Sequence, residues 1–247
     1  MTWNMANKTV QRIMDEVPRG HPIDSGMLRD MGVSAALASS LEKSGWLQRL
    51  SQGIYLLRGD EPSIAGIIAF LGRRIPGLHI GARTALRWHL GFRSDPDSDI
   101  VTMWGQKPYV FPAWVAAHMR FSYQTTNLFD RNFDYGECLE PVTVHSSSML
   151  MSSPERALLE LASDIGKEQS LEEALQLVEG KYQVSPVVLE RMISRCTRVK
   201  VVRLVRDLCL HAGFAWTVGL QMQADRLGGG KRWSNRTSSG ERLTLRA

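Results

Sequence analysis

The sequence predicts an α+β protein: an N-terminal winged helix-turn-helix domain followed by a larger mixed α/β domain with a helical C-terminal part. Three observations carry that expectation. Residues 1–60 hold three short amphipathic helical segments with a hairpin pattern directly behind them. The middle of the chain mixes helical and strand-like runs, and from Ser153 onward four helical segments follow one another. The expected division is a domain at 1–60, a second at 61–232, and a flexible tail at 233–247, with the polar Arg58-Gly59-Asp60-Glu61-Pro62 stretch at the boundary. With 247 residues and 43% hydrophobic content, the chain is long and apolar enough for a core in each domain.

Thr9 to Val17 places Val10, Ile13, Met14 and Val17 on one helical face. Pro18 and Pro22 stop it, because proline cannot continue the hydrogen-bond ladder. Asp24 or Ser25 can cap a second helix bearing Met27, Leu28 and Met31, and Gly32 suits its left-handed exit. Val33 turns inward, and Ser34 caps a third helix, Ala35 to Ser44, whose Leu37 and Leu41 face the core. Its outward face is Ala35, Ala36, Ser39, Ser40 and Lys43. Two helices about a Gly-containing turn make a helix-turn-helix, whose second helix can enter a major groove. Small side chains let that backbone approach DNA, Ser hydroxyls bond base edges or phosphates, and Lys43 can reach a phosphate. A plain helical bundle also carries Ala and Ser outside, so the segment that follows weighs more. Trp46 to Leu50 reads as a strand, Ser51-Gln52-Gly53 as a turn, and Ile54 to Leu57 as a second strand. This wing would offer Arg49, Ser51 and Gln52 to the sugar-phosphate chain. Winged helices also dock proteins, so the fold alone does not fix the function.

Beyond the boundary, Ser63 can cap an apolar helix from Ile64 to Arg74, broken by Ile75-Pro76-Gly77. A helix from Ala82 to Leu90 follows, then strands at Ile100 to Trp104, Met119 to Thr125 and Val142 to His145. Ser153 can cap the next helix, with Pro154 in its first turn and Glu155 at its positive end. Ser170 to Gly180, Ser185 to Arg195 and Lys200 to Ala212 complete the helical part.

Residues 151–247 carry fifteen Lys/Arg against eleven Asp/Glu, so four of the five excess positive charges lie there. Arg191, Arg195, Arg198, Lys200, Arg203 and Arg206 fall within an acid-free stretch, which fits either an anionic partner or a solvated helix face. No apolar run reaches the roughly 18–20 residues of a membrane span. No secretory signal is visible, and three widely spaced cysteines (Cys138, Cys196, Cys209) fit a reducing cytoplasm.

Catalytic signals are weak. The six histidines show no metal-ligand spacing. Gly228-Gly229-Gly230-Lys231-Arg232 ends like a phosphate-binding loop, but Asp225 stands where its first glycine belongs and Arg232 where Ser or Thr would hold magnesium. Asp95, Asp97 and Asp99 form the one acidic cluster suited to phosphoryl chemistry, and Pro96 and Ser98 make that segment a turn. Neither a metal, a cofactor nor an enzymatic activity is expected.

Three segments resemble a known family. Trp46-Leu47-Gln48-Arg49-Leu50-Ser51-Gln52-Gly53-Ile54-Tyr55-Leu56 looks like the wing of AbiEi-family antitoxins of type IV toxin–antitoxin systems. Ser152-Ser153-Pro154-Glu155-Arg156-Ala157-Leu158-Leu159-Glu160 is similar to the family's S-x-P-E-R-A segment. Val199-Lys200-Val201-Val202-Arg203-Leu204, followed by Leu227 to Arg232, resembles its C-terminal signature. The resemblance runs in order from about residue 8 to 232. It implies a winged helix that binds inverted repeats in double-stranded promoter DNA and represses its own operon. It also implies a C-terminal domain that counteracts a cognate nucleotidyltransferase toxin, in defence against phage by abortive infection, with or without a stable complex. By that resemblance Ser34, Ala35, Ser39, Ser40, Lys43, Arg49, Ser51 and Gln52 would meet DNA. Arg195, Arg198, Lys200, Arg203, Arg206, Lys231 and Arg232 would form a basic antitoxin face toward DNA, toxin or RNA. The family continues into an apolar strand past Gly-Lys-Arg, whereas here Trp233 to Ala247 is polar, with Leu243 and Leu245 strand-like. Two other readings stand beside this one: a stand-alone winged-helix regulator whose larger domain senses a ligand, and a nucleic-acid enzyme using Asp95, Asp97 and Asp99.

Overall fold

The structure, a computed structural model, describes residues 2–91, 100–167, 169–180, 183–214, 222, 224–225, 233–236 and 242–245. In chain order the elements are α1 (Thr2–Glu16), β1 (Ile23–Asp24), α2 (Ser25–Asp30), α3 (Ala35–Lys43), β2 (Leu47–Ser51), β3 (Ile54–Leu57), α4 (Ile64–Gly72), β4 (His79–Ile80), α5 (Ala82–His89) and β5 (Val101–Trp104). They continue with α6 (Ala113–His118), β6 (Phe121–Gln124), β7 (Leu139–Val144), β8 (Ser147–Ser152), α7 (Pro154–Asp164), α8 (Leu171–Val178), α9 (Pro186–Arg195), α10 (Val199–His211), β9 (Trp233–Arg236) and β10 (Arg242–Leu245). The chain divides into two compact units: Met1–Pro76 with Tyr109–Arg120 and Pro141–Met149, and Gly77–Pro108 with Phe121–Glu140 and Leu150–Ala247.

In the first unit the predicted order of three helices and a hairpin is present, with one addition. Ile23 and Asp24 form a strand that pairs antiparallel with β3, giving a three-stranded sheet of order β1-β3-β2. This is the topology of a winged helix-turn-helix. Val10, Ile13, Val17, Leu28, Val33 and Leu41 are buried in one core with Leu47, Tyr55 and Leu57 of the sheet. Two predicted details change: α1 begins at Thr2 rather than Thr9, and Met14 is 42% exposed. The inward stripe is thus narrower than the apolar spacing predicts. Asp24 caps α2, its Oδ1 accepting from the Met27 N–H at 2.8 Å. Ser34 caps α3 and Ser63 caps α4 as expected. Helix α4 seats closely on the segment before β1: a Cβ on Gly66 would lie 2.5 Å from the Gly20 carbonyl oxygen, so glycine is required at that crossing. Past the end of α4, Arg74 donates to Asp24 Oδ2 at 2.8 Å and Arg73 lies 3.7 Å from it. Burial alone would raise the Asp24 carboxyl, but the bonds from Arg74 and the Met27 N–H, with the two arginine charges, hold it below the usual range. The β7–β8 turn, within Pro141–Met149, is a two-residue connection with His145 at φ 47° and Ser146 at φ 67°.

A five-stranded sheet has the order β6-β5-β4-β8-β7. β4 pairs antiparallel with β5 and parallel with β8, and β5 pairs parallel with β6. Its two residues, His79 and Ile80, are both fully buried. Helix α7 lies against α5, α8, α9 and α10, and every residue from Glu155 to Asp164 is buried. Helix α10 turns Val201, Val202, Leu204, Val205, Leu208 and Cys209 inward, as the spacing predicts. Where a tail is expected, β9 and β10 pair antiparallel, with Trp233 opposite Leu245 and Asn235 opposite Leu243. The two leucines that looked strand-like do lie in a strand, so the polar composition of this end did not prevent pairing. Among the described residues no helix is long and apolar enough to cross a membrane.

Candidate nucleic-acid interface

Helix α3 is short, and its composition divides it cleanly. Ala38 and Leu41 are buried, at 4% and 2% exposure. Ser34, Ala35, Ala36, Ser40 and Lys43 are exposed and Ser39 is half-buried. Ser34 Oγ accepts from the Leu37 N–H at 3.2 Å, which fixes the start of the helix and leaves its first turn open to solvent. Gly45 takes φ +74° and the Trp46 N–H closes on the Leu41 carbonyl at 2.9 Å, so the chain reverses directly into β2.

The hairpin is a short wing. Leu47 pairs with Leu57, Gln48 with Leu56 and Arg49 with Tyr55, and then the register slips so that Ser51 faces Ile54. Leu50 is the extra residue, a bulge of the kind that bends a strand and re-aims its neighbours. Gly53 closes the tip at φ +70°, and its carbonyl accepts from the N–H of Ser25 at 3.0 Å and from its Oγ at 3.1 Å. The start of α2 therefore holds the wing tip. Gln52 is exposed, Ser51 half-buried and Arg49 exposed, with its guanidinium 3.7 Å from Glu42 of α3 and 5.9 Å from the centre of the Tyr55 ring. All eight residues assigned to DNA contact by resemblance thus lie on one helix with its cap and on the adjoining wing, in the same unit.

The basic set of the second unit is distributed differently. Arg195 ends α9 and pairs with Asp130 at 2.8 Å, and Arg191 pairs with Glu137 at 2.6 Å. Arg198, exposed between α9 and α10, donates from Nε to the Asn127 carbonyl at 3.0 Å. Lys200 Nζ donates to the Ile165 carbonyl at 2.8 Å, and burial followed by the charge of Lys167 holds it below the ordinary lysine range. Arg206 pairs with the adjacent Asp207, and Arg203 is half-buried on α10. Lys231 and Arg232 lie outside the described residues, as do the glycines before them and the Asp95, Asp97, Asp99 cluster.

Ser152 to Glu160, read from the sequence as a capped helix start and similar to a family segment, does start α7 with Ser153 as its cap, and it also builds a buried polar cluster. Glu160 is fully buried and its carboxylate accepts four hydrogen bonds: from Arg156 Nε at 2.9 Å and His79 Nε2 at 2.9 Å on Oε1, and from Ser152 Oγ at 2.8 Å and the Ala82 N–H at 3.0 Å on Oε2. Arg156, 2% exposed, also donates from Nη1 to the carbonyls of Tyr135 and Glu137, and its guanidinium lies 4.7 Å from the centre of the Tyr135 ring. His79 Nδ1 lies 2.7 Å from the Gly77 carbonyl, so both ring nitrogens face acceptors. Burial alone would raise the Glu160 pKa; the charges of His79 and Arg156 and the bonds from His79 and Ser152 outweigh it and bring it down to about 2. Glu155 accepts from the Ser185 N–H at 2.7 Å and so ties the start of α9 to α7. The signal that could have found this cluster is the i, i+4 pair Arg156–Glu160 on a helix buried on every side, since such charges need partners.

The arrangement is structural. Its carboxylate has no lone-pair direction left for a substrate. Nearby cavities lined by Arg83, Asp164 and Gln169, and by Trp104, Tyr135 and Arg156, hold about 20 and 10 Å³. That is room for a water molecule or so, against roughly 300–1,000 Å³ for a small-molecule pocket. Burial pushes the Cys196 thiol up to about 11 and Cys209 up to about 12, and raises Cys138 as well, so none is poised as a thiolate nucleophile. Among the described residues no group of three or more His, Cys, Asp or Glu is placed to hold a metal ion.

Comparison with known proteins agrees with the resemblance seen in the sequence. No curated protein matches the chain in sequence. The crystal structure of the RV2827C protein from Mycobacterium tuberculosis is similar in fold, with a TM-score of 0.53 at 19% identity, covering 90% of this chain and 82% of that one. Residues 6–93 match the family model of the N-terminal domain of the AbiEi antitoxin transcriptional regulator. Residues 98–245 match that of the transcriptional regulator AbiEi antitoxin of type IV toxin–antitoxin systems. With both models in order across most of its length, the chain belongs to the AbiEi family of antitoxin transcriptional regulators of type IV toxin–antitoxin systems.

Proposed function

We propose that this antitoxin represses its own operon by reading inverted repeats in promoter DNA through α3 and the wing. Its larger C-terminal domain counteracts a cognate nucleotidyltransferase toxin without itself catalysing a reaction, in the cytoplasm of a bacterium defending itself against phage. The observation that carries the DNA part is the exposed row of Ser34, Ala35, Ser40 and Lys43 beside the wing, on a module with its own apolar core. Such a row supplies hydroxyl and cationic contacts with little side-chain bulk between helix and groove. In this reading residues 1–60 carry the DNA-contacting surface, with Ser39, Arg49, Ser51 and Gln52 completing it. Residues 61–232 carry the antitoxin activity, where Arg195, Arg198, Lys200, Arg203, Arg206, Lys231 and Arg232 supply the basic character.

The test has two arms. Purified protein is titrated against the duplex upstream of its own coding sequence, and cells co-expressing the protein with the neighbouring gene are scored for growth. The expected result is a salt-sensitive shift of that duplex over an unrelated one, and growth rescue only when the antitoxin is present. A neighbouring gene that is harmless on its own, or a protein that ignores its upstream duplex, overturns the corresponding half of the proposal.

A further inference from the structure

Resting on the proposed DNA contact, we infer that Glu42 is a positioning residue that occupies Arg49 in place of a phosphate, so that the DNA backbone must displace its carboxylate when the wing engages. The register places this pair. Arg49 lies directly opposite Tyr55, two residues after Leu47, which lies opposite Leu57. Residues opposite one another in an antiparallel pair share a face, and so do residues two apart on a strand. Leu47, Tyr55 and Leu57 all belong to the core of the module. Arg49 therefore stands on the core side of the wing, toward the helices, at the point where the apolar core runs out. The bulge at Leu50 ends that face just beyond it.

There the guanidinium is held on two sides. Nη1 lies 3.7 Å from Glu42 Oε1, and its carbon lies 5.9 Å from the centre of the Tyr55 ring. Glu42 belongs to α3 and immediately precedes Lys43, so the pair bridges the helix and the wing. The Arg49 side chain is 50% exposed and that of Glu42 28%, so a ligand reaches the cation without unfolding anything. If α3 lies in a major groove, one phosphate strand passes the crease between that helix and the wing, which is where this cation waits. A carboxylate and a phosphate oxygen present the same acceptor to a guanidinium. Glu42 thus presets the Arg49 side chain and, by its charge, discourages binding to any phosphate that does not bring further contacts with it. The residue lowers affinity in exchange for selectivity.

The experiment is a salt titration of DNA binding by the full chain, wild type against Glu42→Gln, Arg49→Ala and the double variant. The probes are the duplex upstream of its coding sequence and an unrelated duplex of equal length. Glu42→Gln is expected to bind the unrelated duplex about fivefold more tightly at low salt and the upstream duplex about twofold, within the range an exposed ion pair spans. The slope of log affinity against log salt should stay nearly that of the wild type, because Arg49 meets the same phosphate in both proteins. In the Arg49→Ala background Glu42→Gln should change neither quantity. Tighter binding that persists in that background overturns the inference, because the carboxylate would then act on DNA directly. Equal or weaker binding by Glu42→Gln overturns it too, because Glu42 would then be a support only. Absence of any binding by the wild type is a different failure, which overturns the DNA-reading proposal itself and this inference with it. Thermal melting of each variant verifies that it is folded.

Discussion

The two units use the same residue types in opposite ways. In the winged module the arginines and glutamates sit at the rim, as in the half-exposed pair of Arg49 and Glu42, and the interior is apolar. In the second unit an arginine, a glutamate and a histidine are sealed at the centre, and Arg156, Glu160 and His79 are at most 2% exposed. An exposed pair exchanges easily with water or a ligand and contributes little stability. A buried set exchanges with nothing, and losing one member leaves the others charged and unpaired. One family-like segment of this chain, Ser152 to Glu160, thus marks a foundation, whereas the surface nominated for DNA is built largely from small serines and alanines.

Removing one member of the buried set is the harshest way to break that contrast. Arg156→Met is expected to cost about 3–5 kcal/mol, because Glu160 keeps its burial and loses its guanidinium partner. In urea unfolding the midpoint should fall accordingly. Arg156→Met combined with Glu160→Leu should cost less than Arg156→Met alone, since no uncompensated carboxylate remains. If the double variant is the less stable one, the cluster contributes net stability rather than mutual dependence.

Acid probes the same set. Glu160 is lowered from 4.5 to about 2 in the folded chain. A carboxyl depressed on folding contributes stability that is complete above its unfolded value and is lost as pH falls through its folded value. The loss should therefore run from about pH 4.5 down to about pH 2. Glu160→Gln should flatten this part of the pH–stability curve relative to wild type. A variant curve of the same steepness would mean that other carboxyls carry the acid transition.

At the exposed rim the expected effects move from stability to binding. Lys43→Ala and Arg49→Ala should each weaken promoter binding about tenfold and lower the salt slope by about one, with stability changed by less than about 0.5 kcal/mol. Toxin neutralisation should be unaffected by either. Arg203→Glu with Arg206→Glu should do the reverse. A folded variant that loses both activities would break the assignment of one function to each part of the chain.

Legibility followed the range of the contacts. The wing and the three helices were readable because their signals are local: apolar spacing, serine caps at Ser34 and Ser63, and glycines at positive φ at Gly32, Gly45 and Gly53. β1 and β4 were not, because two residues carry no period, and each exists only through pairing with a strand far along the chain. Helix α6 has six residues, under two turns, and Ser147 to Ser152 lacks the β-branched residues that mark a strand. The candidate DNA surface was legible as a set of positions, since it follows from which side of α3 faces the core. The Glu160 cluster was not, because its members come from residues 79, 82, 152, 156 and 160 and only their meeting gives them meaning. The basic run from Arg191 to Arg206 was visible as charge, but its acceptors at Asn127, Asp130, Glu137 and Ile165 are remote in sequence.

The smallest expected effect lies at a turn. β7 and β8 are joined by His145 and Ser146, both left-handed, at φ 47° and 67°. A two-residue hairpin with both central residues in that region favours Asn followed by Gly, because the twist that suits the strands forces L side chains into a crowded conformation. His145→Asn with Ser146→Gly keeps the conformation and relieves that crowding. The pair should stabilise the chain by about 1 kcal/mol in urea unfolding, against a small loss from the greater freedom of an unfolded glycine. The opposite result would have a specific cause to pursue. Ser147, next in the chain and 1% exposed, meets His21 Nε2 through its Oγ at 2.5 Å, and burial followed by the Arg73 charge holds His21 below its ordinary pKa. A neutral His21 can accept from that hydroxyl, whereas an imidazolium can only donate to it. If the substitutions destabilise, and do so more at pH 7.5 than at pH 5, then the strained turn earns its place by aiming Ser147 at the neutral ring.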